Sequence, residues 1–396
     1  MWQAFRTILS DRLIGVVTLT MLLLGFTFAS TFPYLSIIFV QQMGQPERYY
    51  SLLMVAMSVT GMLSGLVLGY LSDFVKDRRW MIVGTLIVGG VAAAFFFAWP
   101  GVWTFIICAL VMRPMSSNAY NLLFATIRAR TAAMGTVEAA SINSMVRTIY
   151  ALSWIVVPGM VGAYIAVSGN ASDSFAFASA AFLACALVYY LFGVASGRRD
   201  STATGPSFSD ALKLINSPFI LLRAIAISLM NSAHALLAAL LPLTVISLAG
   251  GSTTDVGILA GLTAALEMPF MILAGMMLQR WPTWKIIVGG GLVHATYLLA
   301  LSFVTARWQL YGITILNAAG AAVLLTLPLS YMQDLIKDRP GLSTSLMSVV
   351  NVLSVGIGAL VFATGSALSS YSMTALVGVV VVLGGCTLLA KLEHRA

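Results

Sequence analysis

Charge is what this sequence has least of. Only 9% of its 396 residues are Asp, Glu, Lys or Arg, against 60% hydrophobic, and the mean hydropathy is +0.96. A soluble domain carries roughly 25% charged residues, so this composition excludes a water-solvated fold and makes lipid the solvent. Cysteine is scarce too: Cys108, Cys185 and Cys386 each sit inside an apolar run, without metal or redox spacing, and read as small packing residues. No clustered His, Cys or carboxylate spacing points to a metal, and there is no phosphate-cradling Gly-rich loop ending in Lys-Ser/Thr. ATP hydrolysis, a metal site and cofactors of other kinds are therefore not expected.

What is abundant is apolar sequence in long runs. A membrane-crossing helix needs about 20 such residues, and the chain supplies twelve segments, near 13–40, 50–72, 80–99, 102–125, 138–167, 174–194, 219–248, 255–278, 284–305, 308–331, 341–367 and 371–390. They lack the short alternation of membrane strands, so the expected fold is an all-α integral membrane protein with twelve transmembrane helices. The start, MWQAFRTILSDRLIGVV, has a basic region before an apolar run. That run continues without a small-residue cleavage site, so it reads as a retained first helix rather than a signal peptide.

The net charge of +8 is a matter of topology. With the N-terminus and every even-to-odd loop on one side, that side receives nearly all the loop Lys and Arg, while the opposite loops receive only Arg48 and Arg307. The positive-inside rule then places both termini in the cytoplasm and makes the basic balance no reason to invoke nucleic acid. The expected location is a cell inner membrane. Nothing in the sequence demands a partner subunit, so a monomer is expected.

The longest polar stretch, SGRRDSTATGPSFSDALKLINSP, separates six helices from six. It predicts an N-terminal bundle over 1–195, a cytoplasmic linker over 196–218 and a C-terminal bundle over 219–396. The halves echo each other weakly. Gly69 and Asp73 in the second helix lie over Gly275 and Gln279 in the eighth, and SMVR (144–147) lies over SVVN (348–351). Two similar six-helix halves are an architecture of secondary transporters.

Ionisable side chains inside a bilayer cost about 2.5 to 3.5 kcal/mol each on insertion scales, so each one asks for a reason. In TAALEMPFMILAG, Glu267 sits near mid-depth with no basic residue within a helical turn. It is expected either to bind substrate hydroxyls or to exchange a coupling proton; the bland reading is an interhelical hydrogen bond. Asn143, Arg147, Tyr150, Trp154 and Pro158 recur at helical intervals and share one face. An amide, a guanidinium and two aromatic rings suit a sugar, whose hydroxyls take the polar groups and whose C–H face stacks on rings. Arg113, Ser117, Tyr120 and Asn121 form a second polar stripe, in which Arg113 either joins a proton-linked network or bonds backbone freed by Pro114. His234 shares a face with Ser228 and Asn231, and an imidazole titrates near physiological pH, making it a second candidate proton carrier. Asn317 and Asn351 are further candidate hydroxyl ligands, with interhelical bonding as the alternative. Asp73, Lys76, Arg78 and Arg79, with Asp334 and Arg339 in the other half, are expected to cap helix ends and pair across the halves as a cytoplasmic gate.

GYLSDFVKDRR (69–79), with a worn copy in GMMLQRWPTWK (275–285), resembles the loop signature of the major facilitator superfamily. LEMPFMILAG, RTIYALSWIVVP and YMQDLIKDRPG are more narrowly similar to its sugar efflux transporter family. That resemblance implies the major facilitator fold, and export of small sugars or sugar-like molecules by proton antiport with alternating access. A multidrug/proton antiporter of the same superfamily is the alternative that the chain's twenty methionines keep open. The isolated positions of Glu267, His234 and His294 do not supply the paired groups that a membrane-embedded enzyme would want.

Overall fold

The computed structural model describes residues 2–75, 77–132, 134–193, 218–336, 340–368 and 370–394. Among these there is no strand. A short helix, α1 (Trp2–Ser10), leads to α2 (Arg12–Thr31), α3 (Glu47–Phe74), α4 (Arg78–Ala98), α5 (Val102–Thr131), α6 (Thr136–Ser168) and α7 (Ser174–Phe192). The second half contributes α8 (Pro218–Ser247), α9 (Thr253–Met277), α10 (Thr283–Ser302), α11 (Arg307–Leu335), α12 (Pro340–Ala367) and α13 (Tyr371–His394).

Eleven of these helices are long and apolar enough to cross a membrane. The exception among the long ones is α5, which has 30 residues but carries Arg113, Ser116, Ser117, Asn118 and Asn121 in its middle. It spans about 45 Å at the helical rise, ample for a bilayer, and supplies the twelfth crossing.

The first apolar run departs from a single helix. Trp2–Ser10 forms its own helix, and Asp11 opens α2 by accepting from the amides of Leu13 at 3.0 Å and Ile14 at 3.1 Å. Arg130 at the end of α5 donates to the same carboxylate at 2.8 Å. Partial burial works against the Asp11 charge, but these bonds outweigh it and hold the carboxyl below the ordinary carboxylate range. At the other end Pro33 removes an amide, and the helix tightens into a 3-10 turn at Phe32–Tyr34 before widening into a π turn at Ile37–Gln42.

The chain divides into two compact units. The first comprises Met1–Met43 and Val59–Thr202, the second Gly44–Ser58 and Ala203–Ala396, so α3 contributes to both. The expected linker, 196–218, lies outside the described residues except for Pro218. Inside the first unit, α2 packs along α6 and α7, and α4 along α5 and α7. Inside the second, α8 packs along α12 and α13, and α10 along α11 and α13. Laying α2–α7 over α8–α13 reproduces each of these pairings, and the 144–147 and 348–351 echo falls on the equivalent helices α6 and α12. The repeat breaks at one place: α9 runs closely along α11, whereas α3 meets α5 sparingly, through contacts that include a bond from Asn118 to Ser64 Oγ at 3.0 Å.

Close approach, rather than hydrophobicity, fixes these pairs, since lipid is as apolar as the helices themselves. A Cβ on Gly25 of α2 would lie 2.6 Å from Ser153 Oγ and 2.9 Å from the Tyr150 carbonyl oxygen of α6. In the equivalent pair, a Cβ on Gly358 of α12 would lie 2.8 Å from the Ser232 carbonyl oxygen of α8. Gly25→Ala is therefore expected to push α6 away and cost about 1–3 kcal/mol. Thermal unfolding in detergent measures this, and an unshifted transition would show that the α2–α6 seam absorbs a methyl.

Two polar clusters tie the second unit. Asp255, third residue of α9, closes a capping box with Ser252 and accepts from Tyr311 of α11 at 2.8 Å. Near the start of α8, Arg223 is 1% exposed and bonds Glu393 of α13 at 2.6 Å, while Tyr331 of α11 donates to the same Glu393 oxygen at 2.7 Å. The guanidinium also lies 3.5 Å from the Phe219 ring centroid and reaches the carbonyls of Phe219 and Leu392 at 3.2 Å.

Candidate functional site

In the first unit, α2, α5 and α6 bring cations and aromatic rings together. Pro114 follows Arg113 in α5, and Arg113 lies over two rings, its guanidinium carbon 5.2 Å from the centroid of Phe28 in α2 and 5.0 Å from that of Phe32 in the 3-10 turn that follows. Trp154 of α6 meets both rings at 5.8 Å, edge-on to Phe32. One turn earlier on α6, Tyr150 packs T-shaped against Tyr120 of α5 at 5.1 Å. Arg147, a further turn back, lies over Phe124 of α5 at 5.2 Å. The electrostatic influence of Arg113 reaches Tyr150, and that of Arg147 reaches Tyr120.

Five residues singled out in the sequence, Arg113, Tyr120, Arg147, Tyr150 and Trp154, thus form one cluster. Asn143 is engaged elsewhere: its amide donates to its own helix, at the Ala139 carbonyl, over 2.8 Å. Asn121 is exposed on α5, one residue from Tyr120. Arg147 is exposed as well.

In the second unit, Glu267 is half-buried on α9, two residues before Pro269, and no hydrogen bond or ion pair reaches it among the described residues. His234 is exposed on α8. His294 of α10 is fully buried beside Asn317 of α11 and within electrostatic reach of His234, yet neither ring nitrogen has a hydrogen-bond partner among the described residues. The Asn231 side-chain oxygen on α8 is likewise buried without a partner there. Asn351 is exposed on α12. Among the described residues no group of three or more His, Cys, Asp or Glu stands close enough to hold a metal ion.

Of the loop residues, Arg78 donates to the Ser72 carbonyl at 3.4 Å. Arg79 donates to the Tyr190 carbonyl near the end of α7 and lies 5.4 Å from the Tyr190 ring. Both contacts stay within the first unit. Asp334 is exposed. Arg339, Lys76 and the Asp73 side chain lie outside the described residues.

Residues 17–363 match the profile of the Major Facilitator Superfamily. The chain belongs to the major facilitator superfamily. Sugar efflux transporter A of Escherichia coli (strain K12) is 25% identical over 88% of this chain and 88% of its own length. The protein of the same name from Dickeya chrysanthemi is 25% identical over 84% of this chain and 83% of its own. A relative from Deinococcus radiodurans is 28% identical over 85% and 87%. Among solved structures, the nucleoside transporter NupG superposes with a TM-score of 0.76, covering 96% of this chain and 98% of that one at 10% identity. The peptide transporter POT in complex with sulfate gives 0.76 over 96% and 93% at 12% identity.

This major facilitator protein is accordingly a multi-pass membrane transporter and not an enzyme. What the sequence reading missed on it are the rings that hold the guanidinia. Phe28, Phe32 and Phe124 read as ordinary lipid-compatible residues, because a cation–π contact leaves no spacing signature across helices. Arg223 was also passed over, although a lone Arg in PFILLRAIAI is the kind of signal that marks a buried pair.

Proposed function

We propose that this major facilitator protein exports small sugars or sugar-like molecules by proton antiport with alternating access. The observation that carries this reading is the cluster of Arg113, Trp154, Tyr150, Tyr120 and Arg147. It combines fixed donors with flat apolar faces, the pair of surfaces a hydroxylated ring requires. Similarity to sugar efflux transporters supports the same substrate class. Asn143, Asn121, Asn231, Asn317 and Asn351 are proposed as further hydroxyl ligands. Glu267, with no bonding partner among the described residues, is proposed as the proton site, aided by His234 and balanced by the two arginines.

The proposed frame has bundles over 1–195 and 219–396 joined by a cytoplasmic linker over 196–218. Both termini are cytoplasmic, the protein works as a monomer in the cell inner membrane, and Asp73, Arg78, Arg79, Asp334 and Arg339 act at the cytoplasmic gate. Purified protein in vesicles tests the substrate. Labelled lactose and glucose analogues should show saturable counterflow, and an imposed pH gradient should concentrate them. Movement of amphipathic drugs but of no sugar would replace this reading with multidrug efflux.

A further inference from the structure

At one end of the second unit, cations and indoles gather on two neighbouring helix ends. Trp281 lies in the turn before α10, and Trp284 and Lys285 lie in the first turn of that helix. The Lys285 ammonium nitrogen is 5.9 Å from the Trp281 ring centroid and 5.5 Å from that of Trp284. Trp284 in turn meets the His394 ring of α13, T-shaped at 5.4 Å. That contact sets the start of α10 beside the end of α13, where Lys391 stands one turn before His394 and is exposed with it.

No ion pair among the described residues takes up Lys285, Lys391 or the nearby Arg280. Glu393 neighbours His394 in sequence but bonds Arg223 and Tyr331. Asp334, near the end of α11, is exposed and pairs with none of these cations. Lys391 and His394 partly offset the negative end of the α13 dipole. Lys285 has no such partner, because it sits at the positive end of α10, whose first turn lacks a side-chain cap.

The same faces continue as apolar surface. Lys285, Leu292 and Leu299 fall on one face of α10 and are all exposed, and Val380, Thr387, Lys391 and His394 share one exposed face of α13. The two helices pack so closely that a Cβ on Gly291 would lie 2.6 Å from Cys386 Sγ. A molecule seated along this seam meets acyl-compatible surface at depth, and ammonium groups with indole N–H donors at the end. A free anion matches only the second part. An anionic phospholipid matches both, and basic groups flanked by Trp at helix ends are the kind of site that holds its headgroup. A zwitterionic lipid brings its own cation, which Lys285 and Lys391 repel.

We propose that the seam between α10 and α13 binds an anionic phospholipid, its phosphate held by Lys285 and Lys391 beside the two indoles and its acyl chains along the exposed faces of both helices. The lipid bridges the two helices and stabilises their pairing. The site is independent of the substrate and proton readings above.

The test uses the full chain in micelles of an uncharged detergent, with phosphatidylglycerol and phosphatidylcholine of matched acyl chains in equal amounts. Native mass spectrometry counts the lipid retained. Each lysine beside an anionic lipid is worth about fivefold, so phosphatidylglycerol should be retained about tenfold or more over phosphatidylcholine. Lys285→Gln combined with Lys391→Gln should bring that ratio toward one, and Lys285→Arg with Lys391→Arg should keep it. The single Gln variants should each lose about fivefold, which keeps the test open if the double variant melts early. Arg128→Gln, which removes an exposed cation from the end of α5, should leave the ratio unchanged.

Equal retention of the two lipids overturns the proposal. So does a preference that survives in the Gln variants, or one that Arg128→Gln lowers as far, since either would make it a property of overall charge. Inorganic phosphate or glycerol phosphate displacing the lipid at matched concentration overturns it too, because the site would then recognise a soluble anion.

Discussion

Glu267→Gln is expected to leave the transporter unable to concentrate substrate against a pH gradient, while exchange of labelled for unlabelled substrate continues. A charge in hydrocarbon is stabilised by a partner, by water, or by taking up a proton. Glu267 has no hydrogen bond or ion pair among the described residues, and it stands fourteen residues into α9, near mid-depth. Taking up a proton is then the way left for this carboxylate to shed its charge, which is what a site that loads and unloads protons requires. Gln keeps the shape and the hydrogen-bonding oxygen but can no longer exchange a proton. With one proton exchanged per substrate, one pH unit is worth about 1.4 kcal/mol, so wild type reaches up to about tenfold accumulation. The variant should stay near onefold. Coupling also demands that proton and substrate favour different states, so competition between low pH and substrate binding should weaken in the variant. If Glu267→Gln still concentrates substrate, the proton is carried elsewhere, and His234, exposed on α8, is the next residue to replace.

The helices were legible because a bilayer punishes any other backbone, so composition and run length decide the class before any motif is read. The repeat was legible only as a trace, yet 144–147 and 348–351 fell on α6 and α12, helices with the same packing partners in their own units. Positions along one helix also came through: Arg147, Tyr150 and Trp154 do share a face, because helical period alone determines it. What failed was anything that depends on a second helix. That Phe28 of α2 and Phe32 of the turn after it take up Arg113 of α5 depends on interhelical distances that no spacing encodes. Asn143 failed for a different reason: its amide bonds the Ala139 carbonyl one turn back in the same helix, a rotamer choice that spacing leaves open. The π turn at Ile37–Gln42 and the separate helix before Asp11 were hidden for a related reason, since both lie within or beside one continuous apolar run.

Arg223→Ala should destabilise the second unit more than any surface change in the chain. The guanidinium is 1% exposed and Glu393 15% exposed, and their bond of 2.6 Å joins the start of α8 to the end of α13. Removing one member of a buried ion pair strands the other, at about 3–5 kcal/mol. The partial exposure of Glu393, and the Tyr331 hydroxyl that still reaches it, place the expected loss toward the lower end. Glu393→Ala should cost at least as much, because it leaves the more deeply buried cation with only the Phe219 and Leu392 carbonyls and the Phe219 ring. The pair itself need not be net stabilising: Arg223→Met with Glu393→Leu replaces two desolvated charges by apolar volume and should recover most of the loss. Thermal or denaturant unfolding of the two singles and the double closes a cycle whose coupling term isolates the pair. Additive losses would mean that α8 and α13 are held by packing alone and that the charges are solvated at the membrane surface. A coupling of about 2 kcal/mol or more would identify the cluster as a joint of α8, α11 and α13, two of which carry His234 and Asn317.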